Sequence, residues 1–236
     1  LARDLGQKVC EKFTDEDGIY SGDPRFIPSA RKIWHLNYDE METLANFGNG
    51  ILHPRSISYA REAGIRIHVR SSFSREEGSV VGPDGDSSIP VKSLAFDRKQ
   101  AMVEVRGFPR DRVSEISETR IQEFRVLSSE TGIDGHGSPF WRVGFKIAEA
   151  FEALPKVWQL ADGWAAHEVC FNSRLAMITL VGEGLRQNSK LISHFVNALQ
   201  KISVQPLLVQ HEGLRFTVAI EEVQTDSSLK ALHSLL

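Results

Sequence analysis

The chain has 236 residues, of which 41% are hydrophobic and 25% charged, and its formal net charge is −3. This composition indicates a folded protein with one large domain or two to three small ones. Charges of both signs are interspersed, so we expect neither a nucleic-acid-binding surface nor a surface for an anionic membrane. No apolar run approaches the ~20 residues that cross a bilayer, and the first residues lack a signal peptide, which predicts a cytoplasmic protein.

The spacing of cysteines and histidines indicates no metal centre and no hydrolase site. Cys10 and Cys170 have no CxxC or Cys/His partner, so we expect reduced, buried thiols and no disulfide. The histidines show no HExxH or paired zinc spacing, and no GxSxG elbow is present. The four tryptophans are predicted to be core or interface aromatics.

The first third of the chain reads as alternating strands and helices. Residues 9–13 form an apolar-alternating run that predicts a strand, and residues 14–25 follow as an acidic, glycine-containing loop. Loops at strand ends are where α/β sheets usually bind ligands. An apolar-periodic stretch over residues 38–48 predicts a helix, and a second helix is expected to start with Pro54 in its first turn. Residues 67–73 end this part as a strand.

The rest of the chain contains a linker and a faint internal repeat. Residues 74–90 concentrate glycine, proline, serine and acids, which disfavour helix and sheet and predict a domain linker. Residues 101–107 and 176–182 are similar strands that end in glycine. A helical pattern follows each of them, over residues 112–127 and 185–202.

Both copies of the repeat continue in a similar order. In the first copy, residues 140–147 predict a strand, 148–154 the start of a helix, and 165–171 another strand. In the second copy, residues 204–209 and 214–220 predict a hairpin with 210–213 as its turn, followed by a helix over 227–236. The order predicts two tandem ferredoxin-like βαββαβ units.

Four segments of the chain carry a resemblance to a known family. Residues 14–25 read TDEDGIYSGDPR and closely resemble the T-D-x-D-G-V-Y-x-x-D-P-R segment of aspartate kinases. Residues 38–41 (YDEM), 51–56 (ILHPRS) and 67–73 (IHVRSSF) resemble, in the same order, the family's S-Y-E-E-M helix, its V-L-H-P-R-S segment and the V-R-S-S-F that closes its kinase domain. The paired repeat looks like the two ACT domains of the same family.

The resemblance implies a fold class and a set of domains. It implies α/β and α+β structure, with the C-terminal portion of an amino-acid-kinase domain over residues 1–80, a linker over 81–90, and ferredoxin-like ACT domains over 91–171 and 172–236. Because the family inserts one ACT module into the other, the resemblance also implies residues 91–97 as a strand of the second module. ACT modules commonly cover their exposed sheet edges by pairing, which implies a homodimer.

The resemblance also implies a nucleotide site. Thr14 and Asp15 would contact the base and sugar side of ATP, Tyr20 would lie near them, and Asp23 and Arg25 would approach the phosphates. Arginine offers a fixed fork of donors to phosphate oxygens, and carboxylates accept from ribose hydroxyls or hold Mg²⁺ indirectly. The alternative is that the Asp-Gly and Asp-Pro pairs only form turns on a solvated loop.

The catalytic residues of the family are not expected in this chain. The family's amino-terminal lysine, its phosphate loop and its aspartate-binding residues correspond to sequence upstream of Leu1, so we expect a fragment without catalytic or metal-ligating residues. Gly50 stands where the family has a nucleotide-contacting lysine in G-A-K-V-L-H-P. The whole enzyme would use MgATP to phosphorylate the side chain of L-aspartate, the entry step to lysine, threonine and methionine.

An effector site is implied by the ACT resemblance. A lysine or threonine effector would bind at a helix entry, because helix N-termini favour a carboxylate. The corresponding residues are Gly107, Asp111, Gly184, Asn188 and Ser189. Two alternatives stay open. One is a non-catalytic amino-acid sensor derived from such a kinase, and the other is another amino-acid kinase, such as one acting on glutamate, which would lack the paired ACT-like repeat.

Overall fold

The computed structural model describes residues 2–114, 116, 124, 126–186 and 188–236, and the chain divides into two units. The first unit contains the chain up to Asp97 together with Met177–Leu236, and the second is Arg98–Ala176. Among the described residues, no helix has the length and apolar character needed to cross a membrane.

The first part of the chain forms a four-stranded sheet with two helices. The strands are β1 (Val9–Thr14), β4 (His35–Asn37), β5 (Arg66–Ser71) and β6 (Ser79–Gly82), in the order β1-β5-β6-β4. Two short strands, β2 (Ile19–Tyr20) and β3 (Lys32–Ile33), pair with each other. The helices are α1 (Tyr38–Asn46) and α2 (Pro54–Ala63). Because β1 and β5 are parallel, Thr14 lies opposite Ser71 at the carboxyl ends of both strands.

Local sequence explains where both helices begin. Asn37 Oδ1 accepts from the Glu40 N–H at 2.8 Å, and Glu40 Oε2 accepts from the Asn37 N–H at 3.0 Å, which is a capping box at the start of α1. Pro54 occupies the first turn of α2, as predicted, and Gly64 ends that helix in the left-handed region at φ 62°. The core of this part includes Leu36, Met41, Leu44, Ile57 and Val69.

The segment predicted as a linker contains a strand. Residues 79–82 form β6, which is antiparallel to β5 and parallel to β4. Ser79 is buried; its Oγ donates to the Ile33 carbonyl at 2.5 Å and accepts from the Ile19 N–H at 2.7 Å. A Cβ on Gly78 would lie 1.7 Å from the Val69 carbonyl oxygen. Glycine and serine therefore permit close packing here, and the prediction that they exclude sheet structure is wrong for residues 79–82.

Two long strands replace four shorter predicted ones. Strands β7 (Ser93–Arg106) and β10 (Glu168–Val181) each have 14 residues and contribute to both units. The Lys92 N–H donates to the Val181 carbonyl, and the His167 N–H donates to the Arg106 carbonyl, so the strands are antiparallel along their length. Polar residues in the middle of each long strand led to the prediction of two shorter strands. Most of these polar residues are not fully buried, and such a position does not need an apolar side chain for the backbone to stay extended.

The second unit contains one ferredoxin-like module. It is built from β7, β8 (Ser128–Ile133), β9 (Pro139–Lys146), α3 (Ile147–Gly163) and β10, with strand order β10-β7-β9-β8. Ala150, Ala153 and Val157 of α3 belong to the same apolar core as Val103 and Val143 of the sheet. The strand β8 was not predicted.

The first unit contains the other module. Its elements are the end of β10, α4 (Ser189–Lys201), β11 (Leu208–Glu212), β12 (Arg215–Glu221), α5 (Thr225–His233) and the start of β7, with strand order β11-β12-β10-β7. The rings of Phe195 on α4 and Phe216 on β12 stack with centroids 5.9 Å apart. The closing strand thus comes from residues 93–97. The predicted fold class is confirmed, whereas the exact domain boundaries stay a prediction.

Two local predictions have different outcomes. The hairpin turn consists of Gly213 and Leu214, not residues 210–213, because Glu212 already pairs with Arg215. Gly213 takes φ 57°, which suits a tight turn. Of the helix predicted over 112–127, the structure describes a short 3₁₀ helix at Arg110–Ser114, while residues 115, 117–123 and 125 lie outside the described residues.

Several side chains predicted to be buried are exposed. Cys10 and Cys170 are free thiols on the surface, so the expectation of buried thiols is wrong. Trp141 and Trp164 are buried and pack edge to face with centroids 5.4 Å apart, as expected of core aromatics. The other two tryptophans, Trp34 and Trp158, are about half exposed.

Candidate nucleotide site

The carboxyl end of β1 carries the first two predicted nucleotide residues. The Thr14 hydroxyl donates to Asp15 Oδ1 at 2.9 Å, and the Thr14 carbonyl accepts from the Ser72 N–H at 2.8 Å, which fixes the strand end against β5. The Thr14 hydroxyl, backbone donors and the nearby Arg25 charge lower the pKa of Asp15. Asp15 is therefore an exposed, ionised carboxylate at the end of a parallel strand pair.

Tyr20 belongs to a polar cluster that the sequence analysis did not identify. Its hydroxyl donates to Asp17 Oδ1 at 2.7 Å, and Lys32 Nζ bonds Asp17 Oδ2 at 2.8 Å and Glu76 Oε2 at 3.1 Å. Lys32 and Tyr20 lower the pKa of Asp17, whereas burial and the Asp17 carboxylate raise the pKa of Tyr20. The Asp17 position within D-x-D-G was visible in the sequence, but no pattern linked it to Lys32.

Asp23 and Arg25 form a fork on the loop after β2. Arg25 Nη2 lies 2.6 Å from Asp23 Oδ2, and Arg25 Nε lies 2.9 Å from Asp23 Oδ1. Arg25 and the Arg25 backbone N–H lower the pKa of Asp23 despite partial burial. The Arg25 side chain is 78% exposed. The guanidinium therefore lies at the surface of the loop, where an incoming anion could compete with Asp23 for its donors.

The predicted nucleotide residues thus fall into three bonded pairs on one acidic loop. Thr14 joins Asp15, Tyr20 joins Asp17, and Asp23 joins Arg25. Arg25 lowers the pKa of Asp15, and Asp15 raises the pKa of Arg25, so the first pair and the third pair affect each other electrostatically.

Gly50 lies in a cleft beside β1, the strand that precedes the acidic loop. The cleft has a volume of about 800 Å³, and a Cβ on Gly50 would meet no atom within 4 Å. Its lining includes two cations and the start of α2, namely Arg3, Lys12, His53 and Ser56. None of the five predicted nucleotide residues is among its lining residues. Gly50 is thus open to solvent space, and its lack of a side chain has no packing reason.

The predicted effector residues lie in both units. In the second unit, Gly107 follows β7 with φ 72°, and its Cβ would approach the His167 side chain to 2.8 Å. Asp111 lies in the 3₁₀ helix, where its carbonyl accepts from the Ser114 hydroxyl at 3.1 Å. Both residues have local structural roles.

In the first unit, the other three effector candidates surround the start of α4. The Gly184 N–H donates to the Pro90 carbonyl at 2.8 Å, and a Cβ on Gly184 would lie 2.4 Å from Pro90 Cβ. Asn188 caps α4 by accepting from the Leu191 N–H at 3.1 Å, and Ser189 is the first residue of the helix. The space beside Gly184 is therefore occupied by the segment that contains Pro90.

Helix α1 is joined to the module of the first unit. Lys92 Nζ contacts Glu40 Oε2 at 2.9 Å, and the side chains are 2% and 0% exposed. Asn37 Nδ2 donates to Glu183 Oε1 at 3.2 Å, and the pKa of Glu183 is lowered mainly by Arg186. Polar contacts therefore join α1 to the ACT-like module of the first unit.

Known proteins resemble this chain in sequence. Residues 1–71 match the model of the amino acid kinase family. An aspartokinase from Corynebacterium efficiens is 32% identical over 247 aligned positions, which cover 99% of this chain and 58% of that protein. The chain is similar to aspartokinases over almost its whole length. It spans about three fifths of the length of this relative.

Solved aspartate kinases share the fold. The enzyme from Clostridium acetobutylicum has a TM-score of 0.83 at 16% identity, covering 99% of this chain and 55% of its own. E. coli aspartokinase III in complex with aspartate and ADP has a TM-score of 0.79 at 19% identity, covering 100% of this chain and 54% of its own. The complex of the same E. coli protein with lysine and aspartate has a TM-score of 0.73 at 18% identity. That match covers 99% of this chain and 53% of the E. coli chain.

Proposed function

We propose that this chain is the nucleotide-side and regulatory portion of a cytoplasmic aspartate kinase, which transfers the γ-phosphate of ATP to L-aspartate and forms 4-phospho-L-aspartate. The observation that carries the proposal is the acidic loop of residues 14–25 at the end of a parallel strand pair, in a chain similar to an aspartokinase over 99% of its length. The product would enter the synthesis of lysine, threonine and methionine.

The residues of the loop have the chemistry for binding a nucleotide. Phosphoryl transfer depends mainly on positioning and on stabilising charge around the γ-phosphate. Asp15 and Thr14 would accept from ribose hydroxyls or face the base, and Tyr20 would border them. Arg25 would exchange its bonds with Asp23 for bonds to phosphate oxygens, because both anions suit its planar fork. No residue of this chain is proposed as catalytic.

Mg²⁺ would enter this site with ATP. Among the described residues, no three His, Cys, Asp or Glu side chains are grouped to hold a metal ion. A resident site is not required, because Mg²⁺ commonly keeps several waters and binds one or two carboxylates together with substrate phosphates. The exposed Asp15 carboxylate suits such a water-mediated contact, and the ion would neutralise phosphate charge.

Titration with MgADP, measured by calorimetry on the 236-residue chain, tests this proposal. Arg25→Gln should weaken binding about tenfold or more, since a charge-assisted bond to phosphate is worth roughly 1.5–3 kcal/mol. Arg174→Gln, at an exposed arginine of the other unit, is the control. Equal affinities for Arg25→Gln and the unaltered chain would contradict the role of Arg25. The intact natural protein should phosphorylate L-aspartate, and its failure to do so would reject the enzymatic assignment.

The second candidate is a non-catalytic amino-acid sensor. It is favoured by Gly50, which removes a cation that the family resemblance leads one to expect beside the nucleotide. A thermal-shift panel separates the two functions. Stabilisation by lysine or threonine without any response to MgATP would support the sensor, whereas stabilisation by MgATP would support the kinase.

Effector binding is proposed at the starts of the module helices. E. coli aspartokinase III has been crystallised with lysine, which makes lysine the first effector to test. Gly107 and Asp111 belong to one candidate site, and Gly184, Asn188 and Ser189 to the other. Asn188→Ala should reduce any stabilisation by lysine at the second site, and an unchanged thermal shift would remove that residue from the proposal.

We also propose a homodimer through the ACT-like modules. The Gly182 N–H donates to the Leu214 carbonyl, so the seven residues of β12 run beside the end of the 14-residue β10 and leave its first half as a sheet edge. Nearby, the rings of Phe151 and Phe171 pack at 5.5 Å, and Trp158 is 55% exposed. An edge strand beside exposed aromatics favours pairing with a second copy. Light scattering should show a dimer at micromolar concentration, which Trp158→Glu should weaken.

A further inference from the structure

The loop that contains Asp23 and Arg25 is attached to the last helix of the chain by one histidine. His233, on α5, is 6% exposed, and its Nε2 lies 2.8 Å from the Ser21 hydroxyl oxygen. Its Nδ1 lies 3.4 Å from the Ser29 hydroxyl oxygen. Ser21 and Ser29 flank Asp23 and Arg25, so the histidine contacts both ends of the loop.

The hydrogen bonds around His233 suit a neutral ring. The Arg31 N–H donates to Ser21 Oγ at 2.8 Å, which leaves the Ser21 hydroxyl hydrogen available for His233 Nε2. With Nε2 as acceptor, the ring hydrogen lies on Nδ1 and faces Ser29. Burial, and to a smaller extent the Arg31 charge, lower the pKa of His233, which agrees with a neutral ring.

The same loop is bonded to the first strand of the module. The Leu94 N–H donates to the Ser21 carbonyl at 3.0 Å, and the Ser93 hydroxyl donates to the Tyr20 carbonyl at 2.8 Å. The rings of Phe26 and Phe96 meet edge to face with centroids 5.1 Å apart. Ser21 therefore bonds two elements of the ACT-like module, one through its backbone and one through its side chain.

Space around the loop is tight, which gives these bonds a defined geometry. A Cβ on Gly22 would lie 2.6 Å from Ile27 Cδ1 and 3.4 Å from His233 Cδ2. The Asp23 carbonyl accepts from the N–H groups of Phe26 and Ile27, which closes a turn that contains Arg25. A shift of His233 cannot leave Ser21 and the turn beyond it in place.

We propose that His233 is a positioning residue for the nucleotide loop, through which the state of the ACT-like module of the first unit reaches the phosphate-binding side chains. The inference rests on the proposed function. His233 touches no nucleotide; it holds Ser21, and Ser21 fixes the backbone on both sides of Asp23 and Arg25. A displacement of α5 or of the start of β7 would move the Arg25 fork and lower nucleotide affinity.

Hydrogen exchange and nucleotide binding test the inference on the 236-residue chain. His233→Leu fills the volume but cannot bond Ser21, whereas His233→Gln retains a polar group for it. We expect amide exchange at Arg31 and Ile27 to rise about tenfold in His233→Leu, the effect of losing roughly one hydrogen bond. His233→Gln should restore most of the protection. MgADP affinity should follow the same order, and His194→Leu, at an exposed histidine of α4, should change neither quantity.

The outcomes separate the inference from the function on which it rests. Unchanged exchange at Arg31 in His233→Leu, in a chain that still unfolds cooperatively, would overturn the inference. Ser21→Ala provides a second route if His233→Leu does not fold, and it should also release Arg31. Absence of MgADP binding by the unaltered chain would count against the proposed function, and exchange at Arg31 would still decide whether His233 holds the loop.

Discussion

Lys92 Nζ lies 2.9 Å from Glu40 Oε2 in a site from which solvent is excluded. The same carboxylate oxygen also caps α1. Removing one member of a buried pair leaves an uncompensated charge, which costs about 3–5 kcal/mol. Lys92→Met should therefore lower the free energy of unfolding by about 3 kcal/mol, measured by urea denaturation. The double variant Glu40→Gln/Lys92→Met should recover a large part of this loss. A single variant within about 0.5 kcal/mol of the unaltered chain would contradict the pairing.

Gly184 should not tolerate a methyl group. A Cβ there would lie 2.4 Å from Pro90 Cβ and 2.8 Å from the Pro90 carbonyl oxygen. Gly184→Ala should destabilise the protein by about 1–3 kcal/mol, because the backbone of residue 90 must move. Gly50→Ala is the matched control, since its methyl group meets no atom and only reduces the entropy of the unfolded chain. Equal unfolding midpoints for the two variants would refute this packing.

Gly50→Lys should strengthen nucleotide binding without loss of stability. The cleft offers space for the side chain, and the added ammonium would supply the cation that the family resemblance leads us to expect. Affinity for MgADP should rise about tenfold, as expected for one charge-assisted bond to phosphate. Gly50→Gln, of similar length and without charge, controls for packing. Similar affinities for the lysine and glutamine variants would show that position 50 does not face the phosphates.

His233 should make stability depend on pH between neutral and mildly acidic conditions. Burial, assisted by the Arg31 charge, lowers its pKa below the ordinary 6.5. The unfolded chain therefore binds a proton near pH 6.5 that the folded chain does not bind, so stability is fully present above that pH and is lost as pH falls through the folded pKa. Urea unfolding at pH 7.5 and 5.5 should show a loss in the unaltered chain that is absent in His233→Gln.

The carboxylates do not obscure this test. The pKa values of Asp17, Asp23 and Glu183 are all lowered from ordinary values of 3.8 to 4.5, so these groups contribute only in more acidic solution. Identical pH dependence in the unaltered chain and in His233→Gln would mean that another group titrates in this window.

The sequence predicted the elements with strong local signals. Pro54 has a fixed backbone angle that suits the first turn of a helix, where it begins α2, and the apolar periodicity of residues 185–202 indicated α4. Residues 14–25 were singled out as a nucleotide site from their acids and glycines and from the family resemblance, and that role stays a prediction. These signals depend on residues close to each other in the chain.

The sequence did not predict features that depend on distant contacts. Ser79 and Gly78 look like loop residues, and only the approach of Val69 and Ile33 explains why Ser79 begins a strand with Gly78 packed directly before it. The contact of Ser21 with His233 joins positions 212 residues apart, and no local pattern indicates it. Lys32 was missed for the same reason, because its partner Glu76 comes from another loop.

Strand β7 belongs to both modules, which matters for the design of any shorter version of this protein. Residues 93–97 complete the sheet of the module whose other strands lie beyond residue 176, although the whole of the other module is encoded between them. A fragment that starts at residue 172 would form a sheet of only three strands, with one edge whose backbone groups are unpaired. Attaching residues 88–97 after residue 236 through a short flexible linker would restore the missing strand. The product would be a permuted module that can be studied alone.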